Sequence, residues 1–72
     1  MLERIFNFEY LTQEENEAVT SHYNHCRKSF ERGLMSASEA QFMFTEKMIK
    51  EFDVKAFGIC TNVPMMDEKE VK

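Results

Sequence analysis

Arg32-Gly33-Leu34-Met35-Ser36-Ala37-Ser38-Glu39 is the stretch whose reading decides the fold. Gly33 takes the left-handed conformation that closes a helix more readily than any other residue, and Leu34 stands where it would fold back as the apolar partner of that closure. Three residues later, Ser36-x-x-Glu39 has the form of a capping box: the serine side chain accepts from the backbone of Glu39, whose carboxylate reaches back to the backbone of Ser36. A helix stop followed so closely by a helix start implies two antiparallel neighbours joined by a tight link.

Upstream of the link, Thr12-x-x-Glu15 is a second capping box, followed by Glu17 in the first turns. Arg27, Lys28 and Arg32 lie where a helix C-terminus favours cations. The apolar or weakly polar positions Val19, Tyr23, Cys26 and Phe30 recur at helical spacing, and the first helix is expected over about 13–32. Downstream, no Gly or Pro interrupts the run to Phe52, and a second helix is expected over about 37–53. At about 100° per residue, Ala37, Ala40, Met43, Phe44, Met48 and Phe52 share one broad arc, while Phe42 and Ile49 fall on the opposite side. The first helix covers only the first set.

Both ends of the chain alternate. Phe6, Phe8 and Tyr10 are spaced by Asn7 and Glu9, and Phe57, Ile59, Thr61 and Val63 follow the same period of two. The expected architecture is therefore mainly α with an α+β variant: the helical hairpin plus short terminal strands in β-α-α-β order, paired antiparallel against the hairpin's outer side. The competing reading makes Leu2–Leu11 a short helix. Pro64 ends the second alternating segment, so residues 1–66 are expected to form one small domain and 67–72 a charged, solvated tail.

Seventy-two residues lie near the lower limit for a single core, where a domain buries only roughly 60% of the surface its unfolded chain exposes. Cys26 and Cys60 would make one bridge at most, and the opening Met1-Leu2-Glu3-Arg4 lacks the basic and apolar regions of a secretory signal. Two thiols in a reducing, cytoplasmic setting are expected. No apolar run, Gln41-Phe42-Met43-Phe44 included, approaches the roughly 20 residues of a membrane span. A net charge of −4 opposes binding to a phosphate backbone, while 43% hydrophobic residues, with seven Phe and six Met, favour folding over disorder.

Few residues suggest chemistry. His22, His25 and Cys26 form the one constellation resembling a metal site, positions 22 and 26 lying one helical turn apart with Cys60 as the candidate third ligand; the second ligand pair of a structural zinc site is missing, and Cys26 also belongs to the core stripe. No glycine-rich phosphate loop or oriented nucleophile is present, and no catalytic residue or cofactor is expected. Arg27, Lys28 and Arg32 are candidate nucleic-acid contacts, but dipole compensation accounts for the same three cations. Phe42, Ile49, Met65 and Met66 remain as the expected partner interface, since so small a chain does not easily cover every side of so apolar a helix.

The expected function is that of a non-enzymatic, small acidic interaction protein. It would form a homodimer or regulate or inhibit a larger intracellular partner, such as a nucleic-acid-processing protein, in the manner of viral or mobile-element inhibitors. The alternatives are a small nucleic-acid-binding regulator using the basic cluster, and a metal-binding or thiol-reactive module using His22 and Cys26.

Overall fold

The computed structural model describes residues 4–67. Helix α1, Gln13–Glu31, begins where Thr12 Oγ1 accepts from the Glu15 N–H at 3.1 Å and Glu15 Oε1 accepts from the Thr12 N–H at 2.9 Å. Helix α2, Ala37–Phe52, opens with the same reciprocal pair, Ser36 and Glu39, at 3.1 and 3.0 Å. Between them Gly33 has φ +79°, its N–H bonds the carbonyl of Phe30, and the Leu34 N–H bonds that of Ser29, both at 3.0 Å. This double closure satisfies carbonyls that the last turn of α1 leaves open. The expected fold-back of Leu34 does not occur: its side chain is 72% exposed, and Met35 packs against the core instead.

The two helices face each other through Val19, Tyr23 and Cys26 on α1 and Ala40, Phe44, Met48 and Phe52 on α2, all buried. Tyr23 and Phe44 meet edge to face, with ring centroids 5.5 Å apart. Phe30 and Ala37 extend the seam at its closed end, whereas Met43, expected on the same arc, is 39% exposed at its margin. Polar contacts bind the flanks: a hydrogen bond between His22 Nε2 and Glu51 Oε2 at 2.7 Å, and an ion pair of Lys55 Nζ with Glu15 Oε2 at 3.2 Å.

The expected terminal strands are absent among the described residues. Residues 4–8 alternate inward and outward as their sequence suggests, but their backbone is held by a helix. Arg4 N–H donates to Asn24 Oδ1 at 3.0 Å, Phe6 N–H to Thr20 Oγ1 at 3.0 Å, and Phe8 N–H to Asn16 Oδ1 at 2.7 Å. The same amides return the bond, Asn24 Nδ2 to the Arg4 carbonyl at 2.7 Å and Asn16 Nδ2 to the Phe8 carbonyl at 3.1 Å. Two extended residues advance about 6.6 Å and four helical residues about 6.0 Å, so side chains at four-residue spacing meet every second residue of an antiparallel segment. Phe6 and Phe8 are thereby half-buried, with Phe6 packed edge to face on Tyr23 at 5.0 Å. A short helix over 2–11 is excluded over its described residues, which are not helical.

The second expected strand is also corrected. After α2 the chain turns through Asp53 (φ 52°, ψ −115°), a 3₁₀ turn at Asp53–Lys55, and helix α3, Ala56–Cys60. Ala56, Ile59, Cys60 and Val63, at 3-1-3 spacing, are the residues that touch the core, so the helical period prevails over the period-two pattern. Phe57, on the other side, is 78% exposed. At Gly58 an added Cβ would lie 3.3 Å from the Tyr10 hydroxyl, a close contact between the N-terminal segment and α3. Residues 61–67 return to the hairpin, where the Tyr23 hydroxyl donates to the Pro64 carbonyl at 3.0 Å. Of the expected solvated tail only Asp67, which is exposed, is described; 68–72 lie outside the described residues.

Candidate docking surface

The outward face of α2 is built from positions at 3-4-3 spacing: Glu39, Phe42, Glu46 and Ile49. At about 100° per residue they occupy an arc of roughly 80° on the side away from α1. All four are exposed, Phe42 at 63% and Ile49 at 57%, and the exposed Lys50 borders the row. Both terminal segments were expected as cover for this face. The N-terminal one lies on α1 instead, and the C-terminal one is anchored on a different flank of α2, where Gln41 Oε1 accepts from the Met66 N–H at 2.7 Å.

That anchor separates two neighbours that sequence reasoning grouped together. Met65 is 56% exposed, as an interface residue would be, while Met66 is 1% exposed and belongs to the core. Met66 is thus removed from the surface, because the Gln41 bond turns its side chain inward. Val54 and Phe57, at 84% and 78%, add exposed apolar area beyond the end of α2 that the strand reading concealed.

The three cations of the expected nucleic-acid patch do not act together. Arg27 is buried, with 8% exposure, and its Nε lies 3.4 Å from Glu31 Oε2, so its charge is turned into the fold and towards a carboxylate. Lys28 and Arg32 are exposed. Lys28 lines a shallow groove of about 760 Å³ between the N-terminal segment and α1, with Asn7, Gln13, Glu17 and Ser21 among its other walls. Ile5 and Phe6 share those walls, and apolar surface with charges of both signs makes this an open mixed groove rather than a phosphate-tracking stripe.

The three candidate metal ligands also diverge in role. His22 is engaged with Glu51, Cys26 is buried in the seam, and Cys60 is half-buried beside Thr45. Burial pushes the Cys26 thiol up, against a smaller opposing effect of the Lys47 charge, and burial likewise pushes up Cys60, opposed by its hydrogen bond with Thr45. Both shifts favour the unreactive thiol over the thiolate that ligation or nucleophilic attack requires. Among the described residues no group of three His, Cys, Asp or Glu side chains is placed to hold a metal ion, and none of the helices is long and apolar enough to cross a membrane.

Two features escaped the sequence reading. The Asn16–Thr20–Asn24 ladder was hidden because isolated polar residues on a helix resemble any solvated face; their four-residue spacing is the available signal. The alternation of acid and apolar side chains on α2 is hidden because the charges of that stretch are of both signs, Glu39, Glu46 and Glu51 with Lys47 and Lys50. The structure sorts those charges in part: Lys47 lies towards Cys26 and Glu51 towards His22, while Glu39, Glu46 and Lys50 are exposed. No protein-family model, curated protein or solved structure matches this chain.

Proposed function

We propose that this chain is a non-enzymatic interaction protein that binds a larger protein through the outward face of α2 and thereby regulates or blocks it. The observation that carries this reading is that Phe42 and Ile49 stay exposed although the chain has two terminal segments with which to cover them. A 72-residue chain gains much from burying such a face, so keeping it bare on a rigid helix favours use by a partner. Aromatic and methionine side chains suit this role, since they give large contact areas and adapt to the opposing surface. The net charge of −4 directs the choice of partner away from nucleic acid and towards a basic protein surface.

The test is capture of the tagged chain's binding partners from its native cell, with Phe42→Asp and Ile49→Asp run in parallel. Each variant is expected to lose a partner retained by the parent by about tenfold or more, which corresponds to about 1.4 kcal/mol of binding energy. Thermal melting should stay close to the parent's, because both side chains project into solvent. Equal retention by parent and variants would remove this face from the function.

A further inference from the structure

Residues 4–8 are held on α1 by bonds that any other copy of the chain offers equally. Asn24 binds the backbone of Arg4, Thr20 that of Phe6 and Asn16 that of Phe8, at 2.7–3.1 Å. Phe6 meets Tyr23 edge to face at 5.0 Å, while Ile5 and Asn7 are exposed. No backbone–backbone bond ties residues 4–7 to the rest of the described chain.

One turn returns this segment to its own helix. The Leu11 N–H bonds the Phe8 carbonyl at 3.2 Å, which sets Glu9 and Tyr10 at the two central positions. Gly, Pro, Asn, Asp and Ser favour such positions; Glu and Tyr do not, and Tyr favours strands. The period-two pattern of Phe6, Phe8 and Tyr10 also runs through the turn, so local preference is for extended chain where the closed form bends. Opening the turn gives up its one bond and the approach of Tyr10 to Gly58. The opened segment then runs on in the direction of α1 and no longer meets its own Asn16 row. It meets that row on a second copy whose α1 is antiparallel, where the same rungs and the same Tyr23 receive it.

We infer that two copies of the chain exchange their N-terminal segments, so that residues 4–8 of each lie on Asn16, Thr20, Tyr23 and Asn24 of the other in a two-fold dimer hinged at Glu9 and Tyr10. The second copy is the occupant because the segment that fits this row is one every copy carries. Each rung broken in the closed form is made again in the exchanged one, so concentration and the hinge set the balance. With an indifferent hinge the two forms balance near the effective concentration of a short link, about millimolar, and a hinge that prefers extended chain moves the balance lower. Exchange also adds contacts to a core near the lower size limit. It uses α1 and leaves the outward face of α2 free, so it stands apart from the interaction role of that face.

The test mixes isotope-labelled and unlabelled full chains, refolds them together at about 1 mM, and reads proton contacts between differently labelled copies. Contacts between the Phe6 ring of one copy and the Tyr23 ring of another are expected, in a species of twice the chain's mass whose share falls on dilution. Deleting Glu9 and Tyr10 leaves a link too short to turn back, and should lower the concentration at which half the chain is dimeric about tenfold or more. Asn16→Ala combined with Phe6→Ala weakens both the receiving row and its occupant and should raise that concentration about tenfold, whereas Phe42→Asp should leave it unchanged. Phe6–Tyr23 contacts confined within single copies would overturn the inference. So would a shortened chain that stays monomeric, or a dimer that Phe42→Asp dissociates and the Asn16→Ala/Phe6→Ala pair does not.

Discussion

The outward rows of α1 and α2 have opposite fates. Asn16, Thr20 and Asn24 on α1 are polar, and the chain covers them with its own N-terminal segment; Phe42 and Ile49 on α2 are apolar and stay bare. Hydrophobicity alone would assign the cover the other way round. The difference lies in what an extended segment demands. Its backbone groups lose water on docking and need partners, which a row of amides and a hydroxyl at four-residue spacing supplies and a row of Phe, Ile and carboxylates does not. The carboxylates of α2 have no N–H to offer a carbonyl, and its apolar side chains have neither donor nor acceptor. Phe6 and Phe8 then reach Tyr23 and the core because the ladder holds their backbone in place.

The sharpest way to break this comparison is to remove its strongest rung. Asn16 accepts from the Phe8 N–H and donates to the Phe8 carbonyl at 3.1 Å and the Thr12 carbonyl at 3.1 Å, all from a side chain that is 6% exposed in the folded chain. Asn16→Ala strands those groups and leaves a gap beside Leu11, and it is expected to cost about 2–3 kcal/mol in denaturant unfolding. Hydrogen exchange should show the Phe8 amide losing its protection while amides in the middle of α2 keep theirs relative to global stability. Uniform loss of protection across both would mean that the ladder is not a separable unit.

Much of the hairpin was legible because its signals are local. The two capping boxes, Gly33 and the first-turn acids each act within a few residues, and each is found where its spacing put it. The termini were legible only in part. Alternation at Phe6 and Phe8 matches the inward and outward sides of residues 4–8, but the strand it implied does not form, because the segment's partners are side chains up to 20 positions away, which periodicity does not reveal. At the other end two periods overlap: Phe57, Ile59, Thr61 and Val63 at two, and Ala56, Ile59, Cys60 and Val63 at the spacing of a helix. Tertiary contact with α2 selects the second. On the candidate face, Phe42 and Ile49 followed from their angle on the helix. The division between Met65 and Met66 did not, since it hangs on one bond to Gln41.

A weaker break leaves the shape of the row intact. Thr20→Val keeps the branched side chain and removes the acceptor of the Phe6 N–H, a bond of 3.0 Å at a half-buried position. The expected loss is about 1 kcal/mol, less than for Asn16→Ala, because one bond is removed and water reaches the freed group more easily. Measured beside Asn16→Ala and their double variant, it reads whether the rungs act as a unit. Coupling of about 0.5 kcal/mol or more is expected if one segment docks on both, and strict additivity would show that the rungs hold independently.

The smallest effect concerns the join between the N-terminal segment and the ladder. Glu15 accepts from the Thr12 N–H and lies 3.2 Å from Lys55 Nζ, and these contacts, the backbone bond first, hold its carboxyl below the ordinary value of 4.5. A folded value below the unfolded one means that the folded chain binds this proton less readily than the unfolded chain does. The resulting stabilisation is present above 4.5 and lost as the pH falls through the folded value. Glu15→Gln retains an oxygen acceptor for Thr12 and gives up the charge that Lys55 meets. The parent should therefore melt higher than Glu15→Gln at neutral pH, with the gap closing as the pH is lowered below 4.5. Salt should close the same gap at neutral pH, since Glu15 and Lys55 are both open to solvent. A gap that persisted in acid would place the role of Glu15 in its shape and hydrogen bonding, and would leave the capping box, without its charge, as what aims residues 4–8 along α1.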